Sequence, residues 1–113
     1  MALALNVFKT ITVVAPTSPV GIYTAPVGYT GVVLLAQASN VGTVSHDVTL
    51  SHQRSTAGVA VTTRLTKNYP ISANDSASLL TGKLVLQSND VLVLSASSAS
   101  NVEVVVSVLE TLN

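Results

Sequence analysis

The run Val102-Glu103-Val104-Val105-Val106-Ser107-Val108-Leu109 repeats with a period of two, and it excludes a helix near the end of this chain. Successive side chains of a strand point to opposite faces, so Val102, Val104, Val106 and Val108 share one face while Glu103 and Ser107 mark the other. β-branched residues stacked in this way suit a pleated surface and lose rotamer freedom in a helix. At about 3.4 Å per residue the run reaches roughly 27 Å. It reads as a central strand with Val104 and Val106 in the core.

The same period recurs along the chain in short segments, each stopped by turn chemistry. Residues 10–14 alternate and end at Pro16 and Pro19, which cannot donate to a ladder. Residues 21–25 form a short strand closed by Pro26-Val27-Gly28-Tyr29. Residues 30–37 are almost continuously apolar and read as a strand buried on both faces. Residues 44–52 alternate, Thr56-Ala57-Gly58 is a loop, and residues 59–66 are another strand. Residues 68–76 read as a longer connection, and Ser78-Leu79-Leu80 as one further short strand. Residues 83–87 and 91–96 flank Ser88-Asn89-Asp90, where Asn and Asp tolerate the positive φ of tight turns. That pair is expected to form a hairpin, and with the final strand a meander.

The total is about eight strands with turn signals every ~8–12 residues, which predicts an all-β antiparallel sandwich of jelly-roll or Greek-key type. Area scaling for a chain of 113 residues gives about 5,800 Å² of folded surface against about 16,800 Å² unfolded. One core fits without staples. The domain is expected to span residues 10–113. Residues 1–9, with Leu3, Leu5, Val7 and Phe8, are expected to be either an arm docked on a neighbouring subunit or an edge strand of the same sheet.

Charge is the second constraint. Only 9% of the chain is charged against 48% hydrophobic, where a soluble domain carries roughly a quarter Asp, Glu, Lys and Arg. Monomers of this size use such charges to cover their faces and edges. Much of this surface is therefore expected to face other protein. A formal net charge of zero offers no basic footprint for nucleic acid and no polybasic patch for lipid. The longest apolar run, residues 32–36, falls far short of the roughly 20 residues a membrane-spanning helix needs. The N-terminus has no cationic region ahead of its apolar stretch, and Lys9 interrupts it, so no cleaved signal is expected. Without cysteine there is neither a disulfide framework nor a thiolate metal site.

Residues able to carry chemistry are few and scattered. His46 and His52 would lie roughly 20 Å apart along one strand, too far to share an ion bound at about 2 Å. Of the acids Asp47, Asp75, Asp90, Glu103 and Glu110, Asp75 and Asp90 fall in turns, where Asx chemistry accounts for them. His46 and Asp47 are adjacent, which points them to opposite faces and spoils a Ser/His/Asp arrangement. No nucleophile elbow, P-loop or dinucleotide fingerprint occurs. The chain is expected not to be an enzyme, with no catalytic, cofactor-binding or metal-binding residue, no cofactor and no small-molecule substrate. Glycan recognition is the competing reading, since sugars and bases stack on aromatic platforms. The aromatics are Phe8, Tyr23, Tyr29 and Tyr69. Tyr23 and Tyr29, beside the Pro26 turn, are expected to cap the core edge with their hydroxyls in water. Arg54, Arg64 and Lys67 are expected to be solvated outward positions.

Two stretches carry a resemblance. One is Gly21-Ile22-Tyr23-Thr24-Ala25-Pro26, running through Thr30-Gly31-Val32-Val33-Leu34 to Asn40. The other is Leu79-Leu80-Thr81-Gly82-Lys83-Leu84-Val85-Leu86, through Asn89-Asp90-Val91-Leu92-Val93 to Val104-Val106 and Ser107-Val108-Leu109-Glu110. Together they resemble small β-rich virion structural proteins of tailed bacteriophages, cyanophages included. Asn89 stands where that pattern usually has Gly before Asp90. The resemblance implies a location in the virion and partners that are further copies of the chain and other virion proteins. Roles compatible with it are capsid decoration, a neck or tail connector, or a receptor- or glycan-binding module of a tail fibre or baseplate.

Overall fold

The computed structural model describes residues 6–56 and 58–112. The valine run organises it. β9 (Val102–Leu112) lies between β1 (Asn6–Val14) and β3 (Tyr29–Asn40), antiparallel to both. Val102, Val104, Val106 and Val108 are buried, as their spacing requires. Two short strands, β6 (Ser76–Ser78) and β7 (Leu84–Leu86), pair with different parts of β3 and complete this first sheet. The second sheet has the order β2 (Val20–Thr24), β8 (Val91–Ala96), β4 (His46–Thr56) and β5 (Val59–Ile71).

The chain is thus an all-β antiparallel sandwich, with nine strands among the described residues where the sequence suggests about eight. Its pairing is nested: β1 with β9, β2 with β8, β3 with β6 and β7, and β4 with β5. Only the β4–β5 and β6–β7 connections keep the chain within one sheet. The core between the sheets is aliphatic, and Val33, Leu50, Leu86, Leu92, Leu94, Val106 and Val108 are wholly buried. No helix among the described residues is long and apolar enough to cross a membrane.

Four expectations change. β7 and β8 do not form a hairpin, and no meander follows, because β7 pairs with β3 in one sheet while β8 pairs with β2 and β4 in the other. The Ser88-Asn89-Asp90 turn, with Asn89 at φ 72°, serves as a corner between sheets. β3 is not buried on both faces. Gly31, Val33, Ala36 and Ala38 point inward, while Leu34 and Leu35 stand exposed where the register to β9 shifts. The connection expected over residues 68–76 begins later, since β5 runs on to Ile71 with Asn68 at φ 49° inside it. The short strand expected at Ser78-Leu79-Leu80 lies earlier, at β6.

Of the N-terminal segment, residues 1–5, including Leu3 and Leu5, lie outside the described residues. Residues 6–9 pair with Thr111, Glu110, Leu109 and Val108 of the chain's own β9. There Phe8 is turned outward and is 75% exposed.

Candidate functional site

Besides Asn40, whose buried amide donates to the Val44 and Ile71 carbonyls and accepts the Gly42 amide, the polar chemistry of the interior gathers at two buried carboxylates. Asp90, in the corner before β8, is almost completely buried. Arg54 of β4 holds it through Nε at 3.2 Å from both carboxylate oxygens and through Nη2 at 2.8 Å from Oδ2. His52 donates to Oδ2 from Nε2 at 3.0 Å, and the Gln87 amide donates to it at 3.0 Å. The Arg54 guanidinium does most to hold the Asp90 carboxyl below the usual range, at about 2; burial opposes it, and His52 and the Gln87 amide assist. Arg54 is therefore not a free outward cation, and Asp90 is more than a turn residue. The cluster ties the sheet-switching corner to β4.

Glu110 is the second. It follows Val108 on the inward face of β9 and is 3% exposed. Tyr23 donates its hydroxyl to Glu110 Oε2 at 2.6 Å, and Lys9 Nζ lies 3.2 Å from Oε1. The Tyr23 hydroxyl is thus buried between the sheets instead of lying in water. Burial first, then the bond to Glu110 and its charge, push the phenol's pKa upward. The cluster joins β1, β2 and β9. Gly31 packs closely against it: a Cβ added there would stand 2.9 Å from the Tyr23 oxygen.

Neither cluster presents a nucleophile beside a free base. Among the described residues no three of His, Asp and Glu are grouped to hold a metal ion. His46 begins β4, whereas His52 belongs to the Asp90 cluster. Asp75 caps its own turn by accepting the Ser76 amide at 2.8 Å. Tyr69 is 47% exposed on β5, well along the sheet from Tyr23.

The outer faces of the sandwich carry the other features. On the first sheet, Phe8 lies opposite Leu109, Leu109 opposite Val32, and Val32 opposite Val85. This is one apolar row across four strands, with Phe8 and Val85 exposed at its two ends. Farther along the same face, a hollow of about 440 Å³ is lined by Thr12, Val14, Gln37, Ser39, Glu103 and Val105. On the second sheet a groove of about 400 Å³ is lined by Thr49, Ser51, Gln53, Thr62, Arg64, Lys67, Asn68 and Ser95 among others.

A local irregularity builds that groove. Residues three apart on a regular strand face opposite ways, yet Arg64 and Lys67 both reach it. Ser51 pairs with Arg64 but Leu50 with Thr66, and Val48 with Tyr69, so β5 carries extra residues against β4 on either side of Leu50. Leu65 packs on the core and Thr66 donates to the Leu79 carbonyl at 3.1 Å, which returns Lys67 to the outside. Asn68 secures the bend by donating its amide to Thr49 Oγ1 at 3.0 Å. Bulges commonly re-aim side chains in this way. The sequence shows the cations but not their convergence.

No protein-family model matches the chain, and no curated protein does. Solved structures do. A chain of the acidic stable capsid structure of Helicobacter pylori bacteriophage KHP30 is similar with a TM-score of 0.57 and 17% identity, over 96% of this chain and 89% of that one. A chain of the T13 viral particle of IBDV gives a TM-score of 0.60 at 8% identity, over 97% of this chain but 32% of that one. A chain from Bacillus endospore appendages, described as disulfide-linked pili, gives 0.51 at 17% identity, over 100% and 97%. At such identities the likeness is one of fold, and it is a fold found in the subunits of two viral particles and a pilus.

Proposed function

We propose that this chain is a virion structural protein that self-associates on the particle, acting as a small capsid-decoration or connector subunit. The observation that carries the reading is the outer face of the first sheet. It presents Phe8, Leu109, Val32 and Val85 in one row, with Glu103 as the charged residue of the hollow beside it. A free monomer gains nothing from such a face, and a subunit covered by neighbours does. Charge-poor contacts also avoid the desolvation cost of burying ions.

Three further points support it. The nested pairing is read as a jelly roll, an architecture that recurs in viral capsid domains. The likeness to the phage KHP30 capsid chain extends over 96% of this chain and 89% of that one, so the whole sandwich, and not a fragment of it, resembles a chain of a viral particle. The pilus alternative loses its linkage chemistry, because this chain has no cysteine. On this reading the chain is not an enzyme and needs no cofactor, and its polar clusters lock the fold.

Calibrated mass spectrometry of purified particles tests the proposal. Copy numbers on the order of hundreds fit decoration, and six to a few dozen fit a neck or tail position, as symmetric assembly requires. Absence from particles overturns it. Glycan recognition at a tail tip is the alternative, but Tyr69, an exposed aromatic, does not line the groove of the second sheet.

A further inference from the structure

The charges of the chain divide unequally once the fold is known. Of five acids and five bases, buried Asp90 and Glu110 pair with Arg54 and Lys9, which leaves Asp47, Asp75 and Glu103 against Arg64, Lys67 and Lys83, the last exposed just ahead of β7. Among the described residues no carboxylate pairs with Arg64 or Lys67. The bulges of β5 bring both into one groove on the outer face of the second sheet, among Thr49, Ser51, Gln53 and Thr62. Asp47 lies on the same strand as Thr49 but does not line the groove.

The opposite side of the sandwich holds the complement. Glu103 is exposed in the hollow of the first sheet, directly across from Ser39. Ser39 pairs in turn with Ser76, beside the exposed Asp75, and a second hollow there is lined by Ser39, Asn74, Asp75 and Ser76. Two carboxylates therefore stand at one end of one face, and two cations stand in a groove of the other.

We infer that the Arg64–Lys67 groove receives the Glu103 end of the first sheet's outer face from a second copy of this chain, joining copies head to tail. The inference rests on the self-association part of the proposed function and names its contact. Charge complementarity selects the occupant: the groove needs a carboxylate partner and is lined by no aromatic ring for a sugar. Opposite faces of one subunit cannot satisfy each other within it. They pair between copies, and such a heterologous contact closes into a ring or continues as a row. Rim charges of this kind set register and association more than total affinity, and salt screens them.

Charge reversal on the full chain tests it, read by sedimentation at low ionic strength, with circular dichroism confirming the fold of each variant. The double variant Arg64→Glu/Lys67→Glu leaves two acidic faces, and Glu103→Lys/Asp75→Asn, which keeps an oxygen for the Ser76 amide, leaves two basic ones. Each alone should self-associate at least tenfold more weakly than the parent chain. Mixed in equal amounts, the two should co-assemble, since every contact then joins an acidic face to a basic one. Arg64→Gln/Lys67→Gln should weaken association less than reversal does. Unchanged association of both variants, a mixture that stays dissociated, or a parent chain monomeric at all concentrations overturns the inference. Detection of the protein in particles is independent of these results, so the wider reading can stand while this contact falls.

Discussion

Tyr23 donates its hydroxyl to Glu110 at 2.6 Å across 87 positions of sequence, between the two sheets of the sandwich. Glu110 is 3% exposed, and a buried carboxylate that loses a donor keeps its desolvation cost. Tyr23→Phe should lower unfolding free energy by about 1–3 kcal/mol in urea titrations. Gly31→Ala should act in the same direction, because the new Cβ would sit 2.9 Å from the Tyr23 oxygen and displace it. Unchanged denaturation midpoints in both variants would show that this bond holds nothing together.

Acid should reveal the other cluster. Arg54 holds the Asp90 carboxyl at about 2, well below the ordinary range of an aspartate. A depressed carboxylate contributes stability above its unfolded pKa and loses it as pH falls through the folded one. Here the loss runs from about pH 4 down to about pH 2. Because Arg54 is half exposed, screening reduces the contribution to about 1–2 kcal/mol. Asp90→Asn should remove that part of the acid dependence while lowering stability near neutral pH, as followed by denaturant melts across the range.

The core strand gives a third outcome. Val106 is fully buried at the middle of β9. Val106→Asp places an unpaired charge there, at a cost of several kcal/mol, and should abolish folding. A soluble variant with the parent's far-ultraviolet spectrum would move β9 out of the core.

Period two made β9, the burial of its valines and the sandwich class readable from sequence, because alternation reports directly which side of a strand meets the core. Carried two residues past Val108, the same alternation puts Glu110 on the valine face, a signal that the count of scattered acids passed over and that names no partner. Tyr23 and Lys9 reach Glu110 only through the fold. Ser88-Asn89-Asp90 was misleading for a physical reason: the positive φ that closes a hairpin also turns a corner between sheets, and local chemistry does not distinguish them. The pairing of Arg54 with Asp90 stayed hidden because 36 positions of sequence separate them, and only the pairing of β4 with β8 sets them side by side. Arg64 and Lys67 are both exposed, as expected, but strict alternation does not bring residues three apart to one face; the bulges around Leu50 do.

That corner can be tested in its own right. Asn89 adopts φ 72°, where Asn and Gly are accepted and β-branched residues are strained. Asn89→Gly should shift stability by less than about 1 kcal/mol, whereas Asn89→Val should cost about 1–3 kcal/mol. Equal melting behaviour of the two variants would mean the backbone relaxes freely there.

The most direct measurement of the central claim is cryo-electron microscopy of particles purified from the source of this chain. The account predicts a repeated density that accepts the two-sheet sandwich, with extents of 48 × 29 × 23 Å and the Phe8–Val85 face covered by neighbouring protein. Particles without such density, with the protein recovered only in the non-particle fraction, would contradict it.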